Sequence, residues 1–152
     1  MAAAGLTPAR VVLEITERAV TRPEVVAREA GRLRAAGFRL ALDDVGAGNA
    51  GLEMLRQLPV DYVKIDRAVV VGALTDTMAR AVLAAIVAFA RQAGTVVIAE
   101  GIETPEMLTF VQRAGLAEAT PWEGIRGVQG YLLGRPSATI PPAVAVPRAF
   151  SA

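Results

Sequence analysis

The chain has 152 residues, of which 53% are hydrophobic and 20% are charged, and its formal net charge is +1. This length suggests one domain, and this composition excludes a disordered chain. The sequence contains no cysteine and no histidine, which excludes disulfides, thiolate metal sites and histidine acid–base chemistry. Because the charges nearly balance, the composition argues against binding to a nucleic-acid polymer.

Export and membrane signals are not recognisable in the sequence. The longest apolar stretch, residues 81–90, is much shorter than the roughly 20 residues that cross a bilayer. Residues 1–5 lack the basic start of a signal peptide. The sequence therefore predicts a cytoplasmic protein with no membrane partner.

Short β-branched runs alternate with helical patterns along the chain. Strands are predicted at residues 11–16, 38–42, 62–65, 96–99 and 128–133. Helices are predicted at residues 22–36, 51–58 and 75–93, and a further helix has Thr104 as N-cap and Pro105 at its first position. Apolar strands separated by helices are typical of a parallel α/β sheet.

The spacing of these strands fits part of a barrel. Strand starts lie roughly 23–34 residues apart, and an eight-unit (β/α) barrel uses about 30 residues per unit. The predicted fold class is therefore α/β, a partial (β/α)₈ TIM-like barrel of about five βα units with mostly parallel strands. We expect residues 1–10 to be a lead-in, residues 11–136 to form the barrel part and residues 137–152 to form a proline-rich tail.

Polar side chains recur at the carboxyl ends of successive strands. They are Glu14, Asp43, Asp44, Lys64, Asp66, Glu100 and Gln129. The carboxyl ends of parallel strands share one face, where binding loops gather. A lone carboxylate at such a place is more often a helix cap or a solvated loop residue. Four consecutive strands that end in this way predict a common site.

Converging carboxylates would repel each other unless cations lay among them. Oxygen ligands without histidine or cysteine favour Mg²⁺ or Mn²⁺. Two such ions are a recurrent device for phosphodiester hydrolysis. Lys64 is the sole lysine of the chain, and beside Asp66 its compact ammonium suits polarising a water. The alternative interpretation of Lys64 is a simple surface pair with Asp66.

A glycine motif points to a different function. Residues 46–51 match the G-x-G-x-x-G dinucleotide fingerprint, and Asp66 ends the next strand, where a ribose-binding acid would lie. However, Asp43 and Asp44 directly precede the glycines and would repel a pyrophosphate. We therefore favour a tight turn beside the two aspartates and keep dinucleotide binding as the alternative.

Five collinear segments carry a family resemblance. They read LEITE from Leu13, ALDDVGAG from Ala41, VKID from Val63, AEGIET from Ala99 and QGYLLGRP from Gln129. In these segments, which cover roughly residues 11–136, the chain resembles the EAL-domain family of bacterial cyclic di-GMP phosphodiesterases. The resemblance implies a (β/α)₈-type barrel, second-messenger signalling and two-metal hydrolysis of cyclic di-GMP to linear pGpG.

The resemblance also implies which residues bind metal. Glu14 and Asp43 are similar to ligands of the first metal, and Asp43 is similar to a ligand that bridges to the second. Asp44 is similar to a ligand of the second metal. Asp66 belongs to the same metal cluster. The implied cofactors are two ions of Mg²⁺ or Mn²⁺.

Further roles follow from the same resemblance. Lys64 and Glu100 are similar to catalytic groups: Lys64 to the group that polarises the attacking water, and Glu100 to one that holds a water of the second metal. Gln129 is similar to a residue of the substrate site. Glu17 and Glu103 are similar to residues that support the loops of the site.

The sequence also departs from the family. The Glu-Ala-Leu motif that names the family is absent, as is the asparagine of the strand that follows it. Both complete the shell of the first metal in the family, so we expect an incomplete site and weak or absent activity in this chain alone. The alternative is a non-catalytic cyclic di-GMP binding or dimerisation module. Because a partial barrel has two open edges, we expect a homodimer or a missing N-terminal segment to cover them.

Overall fold

The computed structural model describes residues 5–16, 22–46, 48, 51–114 and 124–139. The strands are β1 Val12–Thr16, β2 Arg39–Val45, β3 Tyr62–Ile65, β4 Val96–Ala99 and β5 Ile125–Val128. The helices are α1 Pro23–Ala35, α2 Gly51–Gln57, α3 Arg67–Thr75, α4 Thr77–Gln92 and α5 Pro105–Ala114. The predicted lead-in and the predicted tail fall partly outside the described residues, so the domain bounds stay predictions.

All five strands belong to one sheet, whose order in space, β1-β2-β3-β4-β5, is the order of the sequence. Every neighbouring pair is parallel. This confirms the predicted α/β class and the partial barrel. A dinucleotide-binding sheet reverses its strand order beside its first strand. No reversal occurs among the described strands, so the topology disfavours the dinucleotide alternative.

The two faces of the sheet have different surroundings. One face packs against helices, and Leu40, Leu42, Val63 and Ile65 on it are completely buried. Since side chains alternate along a strand, the residues between them point to the opposite face. That face carries the polar groups at the carboxyl ends. Lys64 lies there and is the one charged residue that is buried within the described part of the chain.

The helix predicted at residues 75–93 is present as α4, and a helix that the sequence did not predict, α3, lies directly before it. Asp66 caps the start of α3, and Asp76 separates the helices and caps α4 with its carboxylate. The valine run in α3 has low helix propensity, which concealed this helix in the sequence. Packing decides in favour of the helix, since Val69 and Val70 are buried.

The fifth strand lies earlier than the predicted residues 128–133. Its ladder continues one step beyond β5, where the Gln129 N–H donates to the Ala99 carbonyl at 2.8 Å. The chain then turns, and Gly130 packs so closely on the backbone of Ile102 that a Cβ would overlap it. The apolar residues after Gly130 therefore form a turn against the β4–α5 loop and not a strand.

No helix of the described residues combines the length and the hydropathy needed to cross a bilayer. The longest, α4, has 16 residues.

Candidate metal and phosphodiester site

Asp43 and Asp44 direct their carboxylates to the same place, although neighbours in a regular strand point to opposite faces. A bulge allows this, because the pairing of β2 with β3 gains one residue between Leu42 and Val45. Asp44 also has a φ of 59°, the one positive φ of a non-glycine residue in the described chain. Such a conformation costs most L-residues about 1–2 kcal/mol and costs aspartate less, so bringing the two carboxylates together carries a small penalty in backbone stability.

Gly46 follows the two aspartates at a φ of 93°. A Cβ on this residue would lie 2.6 Å from Cγ2 of Val69, so no side chain fits without a shift of α3. This supports a tight turn beside the two aspartates. Residues 47, 49 and 50 of the glycine motif lie outside the described residues.

Lys64 connects the carboxyl ends of several strands. Its Nζ lies 2.8 Å from Oε1 of Glu14, 3.0 Å from Oδ1 of Asp43 and 2.8 Å from Oε1 of Glu100. These partners belong to β1, to β2 and to the residue directly after β4, while Lys64 itself lies on the central strand β3. The alternative interpretation as a surface pair with Asp66 does not describe this arrangement, since Lys64 is buried and pairs with three other residues.

The charge states of these groups follow from their contacts. Burial acts to lower the pKa of Lys64, but hydrogen bonds from its ammonium to Glu100, Glu14 and Asp43 raise it above its ordinary value. Burial raises the pKa of Glu100 above its ordinary value, and repulsion by Asp43 also acts to raise it. The hydrogen bond from the Lys64 ammonium acts to lower the pKa of Glu100 but does not outweigh these effects. In this arrangement Lys64 is therefore protonated at neutral pH.

Asp43, Asp44 and Glu100 form a potential cation site. One carboxylate oxygen of each lies within 4.8 Å of the others. All three residues are half-buried, whereas the side chain of Glu14 is 48% exposed. With Glu14 included, the cluster contains four carboxylates and one ammonium, which pairs with three of them, so an excess of negative charge remains. An oxygen-only set of this kind fits Mg²⁺ or Mn²⁺.

A cleft of about 290 Å³ adjoins this cluster. It brings together four residues predicted from the sequence, and they are Asp66, Glu100, Glu103 and Gln129. Oδ1 of Asp66 accepts the backbone N–H of Ala68 at 2.7 Å, so one oxygen of Asp66 caps α3. Asp66 lines the cleft but is not in the group of Asp43, Asp44 and Glu100. Glu17 lies outside the described residues.

Arg67 is a residue of the cleft that the sequence did not reveal. Its Nη2 donates to Oε2 of Glu103 at 2.8 Å. Its side chain runs so close over Gly101, which has a φ of 63°, that a Cβ there would lie 2.5 Å from three carbons of Arg67. Arg67 thus braces the segment directly after Glu100. The position of Arg67 next to Asp66 was the one feature of the sequence that could have indicated a role in the cleft. Its partner Glu103 lies 36 positions away and was not predictable from local spacing.

Comparison with known proteins gives a family. The sequence matches the EAL domain family over residues 1–136. It is 36% identical over 132 residues to the cyclic di-GMP phosphodiesterase RocR of Pseudomonas aeruginosa, covering 86% of this chain and 31% of RocR. The first curated relatives that it matches are much longer, and the chain spans 16–23% of their length.

Solved structures give the same family. The PaMucR phosphodiesterase in its c-di-GMP complex superposes with a TM-score of 0.75 at 32% identity, over 89% of this chain and 51% of that chain. Klebsiella pneumoniae BlrP1 in its manganese and cy-diGMP complex superposes with a TM-score of 0.77 at 35% identity, over 89% of this chain and 32% of that chain.

Proposed function

Because this chain belongs to the EAL domain family, we propose that it carries a large part of a site that hydrolyses cyclic di-GMP to linear pGpG. The observation that supports this most is the convergence of Glu14, Asp43 and Glu100 on Lys64, with Asp44 alongside. The relatives named as cyclic di-GMP phosphodiesterases support the choice of substrate. We also propose that the reaction takes place in the cytoplasm.

The carboxylates suit a pair of divalent cations, which we propose to be Mg²⁺ or Mn²⁺. Glu14, Asp43 and Asp44 would hold them, and Asp66 would add the oxygen that does not cap α3. Two bound ions stabilise the attacking and the leaving oxygens of a phosphodiester displacement. The half-buried setting strengthens these charge interactions relative to water.

The protein's own groups would position the water and the substrate. The Lys64 ammonium would hold and polarise the attacking water, and the Glu100 carboxylate would hold a water of the second metal. Gln129 lines the cleft that adjoins these groups, and its amide would contact the substrate. Glu103, held by Arg67, would support the segment after Glu100. Glu17 would support the loop after the two aspartates.

We propose weak or absent activity for the chain alone. The sequence contains no Glu-Ala-Leu motif, and the chain covers 51% of the PaMucR phosphodiesterase chain. Loss of metal ligands weakens both metal binding and catalysis.

The test combines two measurements on this chain. Calorimetry with cyclic di-GMP and Mn²⁺ should show binding, and hydrolysis followed by chromatography should be at least about 100-fold slower than in a complete EAL domain. Any residual turnover should disappear in Lys64→Met and persist in Arg34→Met, which removes a cation far from the site. Slow but detectable hydrolysis that depends on Lys64 would support the phosphodiesterase site, and binding with no detectable hydrolysis would favour the non-catalytic binding module. Binding of neither metal nor nucleotide would contradict both.

The edge strands lead to a proposal about partners. No residue of β1 is fully buried, and Val12 on it is 44% exposed. We propose that a second copy of the chain or an N-terminal segment covers β1 and β5. Light scattering of the purified chain should then give the mass of a dimer, and a monomer at all concentrations would contradict the homodimer.

A further inference from the structure

The Lys64 ammonium has no hydrogen-bond donor to spare. An ammonium carries three N–H donors, and three carboxylates lie within 2.8–3.0 Å of Nζ. The proposed catalysis, in contrast, requires a Lys64 donor for water. The arrangement in the structure therefore differs from the one in which Lys64 could act on a water.

We propose that Lys64 is an internal counter-ion that holds the acidic cluster together without metal, and that divalent metal displaces it from part of its carboxylates and so releases a donor for water. This inference rests on the proposed metal site. It gives Lys64 a role in folding that is separate from its proposed role in catalysis.

Competition between Lys64 and a metal follows from shared ligands. Asp43 and Glu100 belong both to the set that binds Lys64 and to the group that could hold an ion. The cluster is half-buried, so a divalent ion beside the ammonium would repel it more strongly than in water. The Lys64 ammonium and a divalent ion would each neutralise the carboxylates of Asp43 and Glu100. The divalent ion would also bind the carboxylate of Asp44.

The position of Lys64 explains why the cluster needs an internal cation. The partners lie on or directly after β1, β2 and β4, and Lys64 occupies the strand between them. Without a cation, four carboxylates would repel each other across these neighbouring strands. The ammonium therefore stabilises the polar side of the sheet.

The sole lysine makes this proposal directly measurable. A chain labelled with ¹³C at lysine Cε gives one lysine signal in an NMR spectrum, and this signal reports on Lys64. Titration with Mg²⁺, which is diamagnetic, should move the signal with the same midpoint that calorimetry gives for Mg²⁺ binding. The Arg34→Met variant, in which a cation of the opposite end of the sheet is lost, should behave in the same way.

The outcomes separate this inference from the proposed function. Binding heat with an unmoved lysine signal would overturn the counter-ion exchange and leave the metal site intact. No binding heat would overturn the proposed metal site and this inference together. A shift of the lysine signal that saturates at the same Mg²⁺ concentration as the binding heat would support both the counter-ion exchange and the proposed metal site.

The Lys64→Met variant provides a second measurement. In EDTA its Tm should fall by about 10 °C, because removal of one partner leaves uncompensated buried charge. Mg²⁺ should raise its Tm more than it raises that of the unaltered chain, and should bind about tenfold more tightly. An unchanged Tm in EDTA would overturn the proposal. If the variant folds neither with nor without Mg²⁺, the lysine signal of the unaltered chain decides.

Discussion

The two ends of the sheet use polar groups in different ways. At the carboxyl ends of the strands, one lysine faces several carboxylates, and the backbone contains a bulge and a left-handed aspartate. At the amino ends, polar groups are matched: Asp61 accepts the Leu40 N–H at 2.9 Å and pairs with Arg34 at 3.3 Å. We call these the carboxyl rim and the amino rim.

The difference shows that the energetically unfavourable features of this fold lie at the carboxyl rim. The amino rim has regular backbone and satisfied partners, as expected of an end of a (β/α) sheet that serves stability. The carboxyl rim combines excess negative charge with backbone strain, and both are costs that a purely structural region would avoid. Substitutions at the two rims should therefore affect metal binding and stability differently.

The largest effect is expected at the carboxyl rim for Asp43→Asn. Asp43 belongs to both the Lys64 contacts and the potential cation site. Its loss should weaken Mg²⁺ binding more than about 100-fold. Stability in EDTA should change by less than about 1 kcal/mol, since the amide oxygen still accepts from Lys64. Calorimetry and urea unfolding measure the two effects, and unchanged Mg²⁺ affinity would contradict the prediction.

Asp61→Ala should have the opposite profile at the amino rim. The change leaves the Leu40 N–H and Arg34 without their partner. It should lower the free energy of unfolding by about 1–3 kcal/mol. Mg²⁺ affinity of the folded variant should stay the same, and a large decrease would show that the rims are coupled. As the matched control, Arg34→Met should cost less than about 1 kcal/mol, because the ion pair is partly exposed.

The backbone strain of the carboxyl rim can be isolated at Asp44. Both Asp44→Gly and Asp44→Ala remove the carboxylate, but only glycine adopts a φ of 59° without penalty. Asp44→Gly should therefore be more stable than Asp44→Ala by about 1 kcal/mol. Urea unfolding in EDTA gives this difference directly. Equal stability of the two variants would show that the left-handed conformation carries no strain.

The smallest effect is expected at a matched ion pair away from both rims. Hydrogen bonds from Arg56 and Gln57 lower the pKa of Glu53 from 4.5 to about 2. A lowered pKa in the folded state gives a stabilisation that is present above pH 4.5 and is lost as the pH falls towards 2. In Glu53→Gln, the free energy of unfolding should therefore fall less steeply as the pH decreases over this range. Thermal unfolding at several pH values measures it, and an unchanged pH profile would contradict the prediction.

Several features of the site were predictable from local patterns. Apolar strands of fixed spacing predicted the α/β class, and a polar group at the end of each predicted the shared rim. The Thr104 cap was also predictable, and its hydroxyl accepts the Met107 N–H at 3.3 Å. These features depend on residues that are close in sequence, where periodicity and capping rules apply.

Other features depended on contacts that no local pattern contains. Helix α3 forms although its valine run disfavours a helix, because the packing of Val69 and Val70 outweighs propensity. The fifth strand ends at residue 128, and Gly130 beyond it fits closely against Ile102. The ion pair between Arg67 and Glu103 joins residues that are 36 positions apart in the sequence.

The amino-acid sequence is sufficient to predict the parallel strands, the kind of residue at each carboxyl end and the family. It does not predict that Lys64 pairs with Glu14, Asp43 and Glu100, or that a bulge turns Asp44 towards the same oxygens. Periodicity places a side chain on one face of a strand, whereas ion pairs depend on register and strand separation. Both of these are set by packing across the whole sheet.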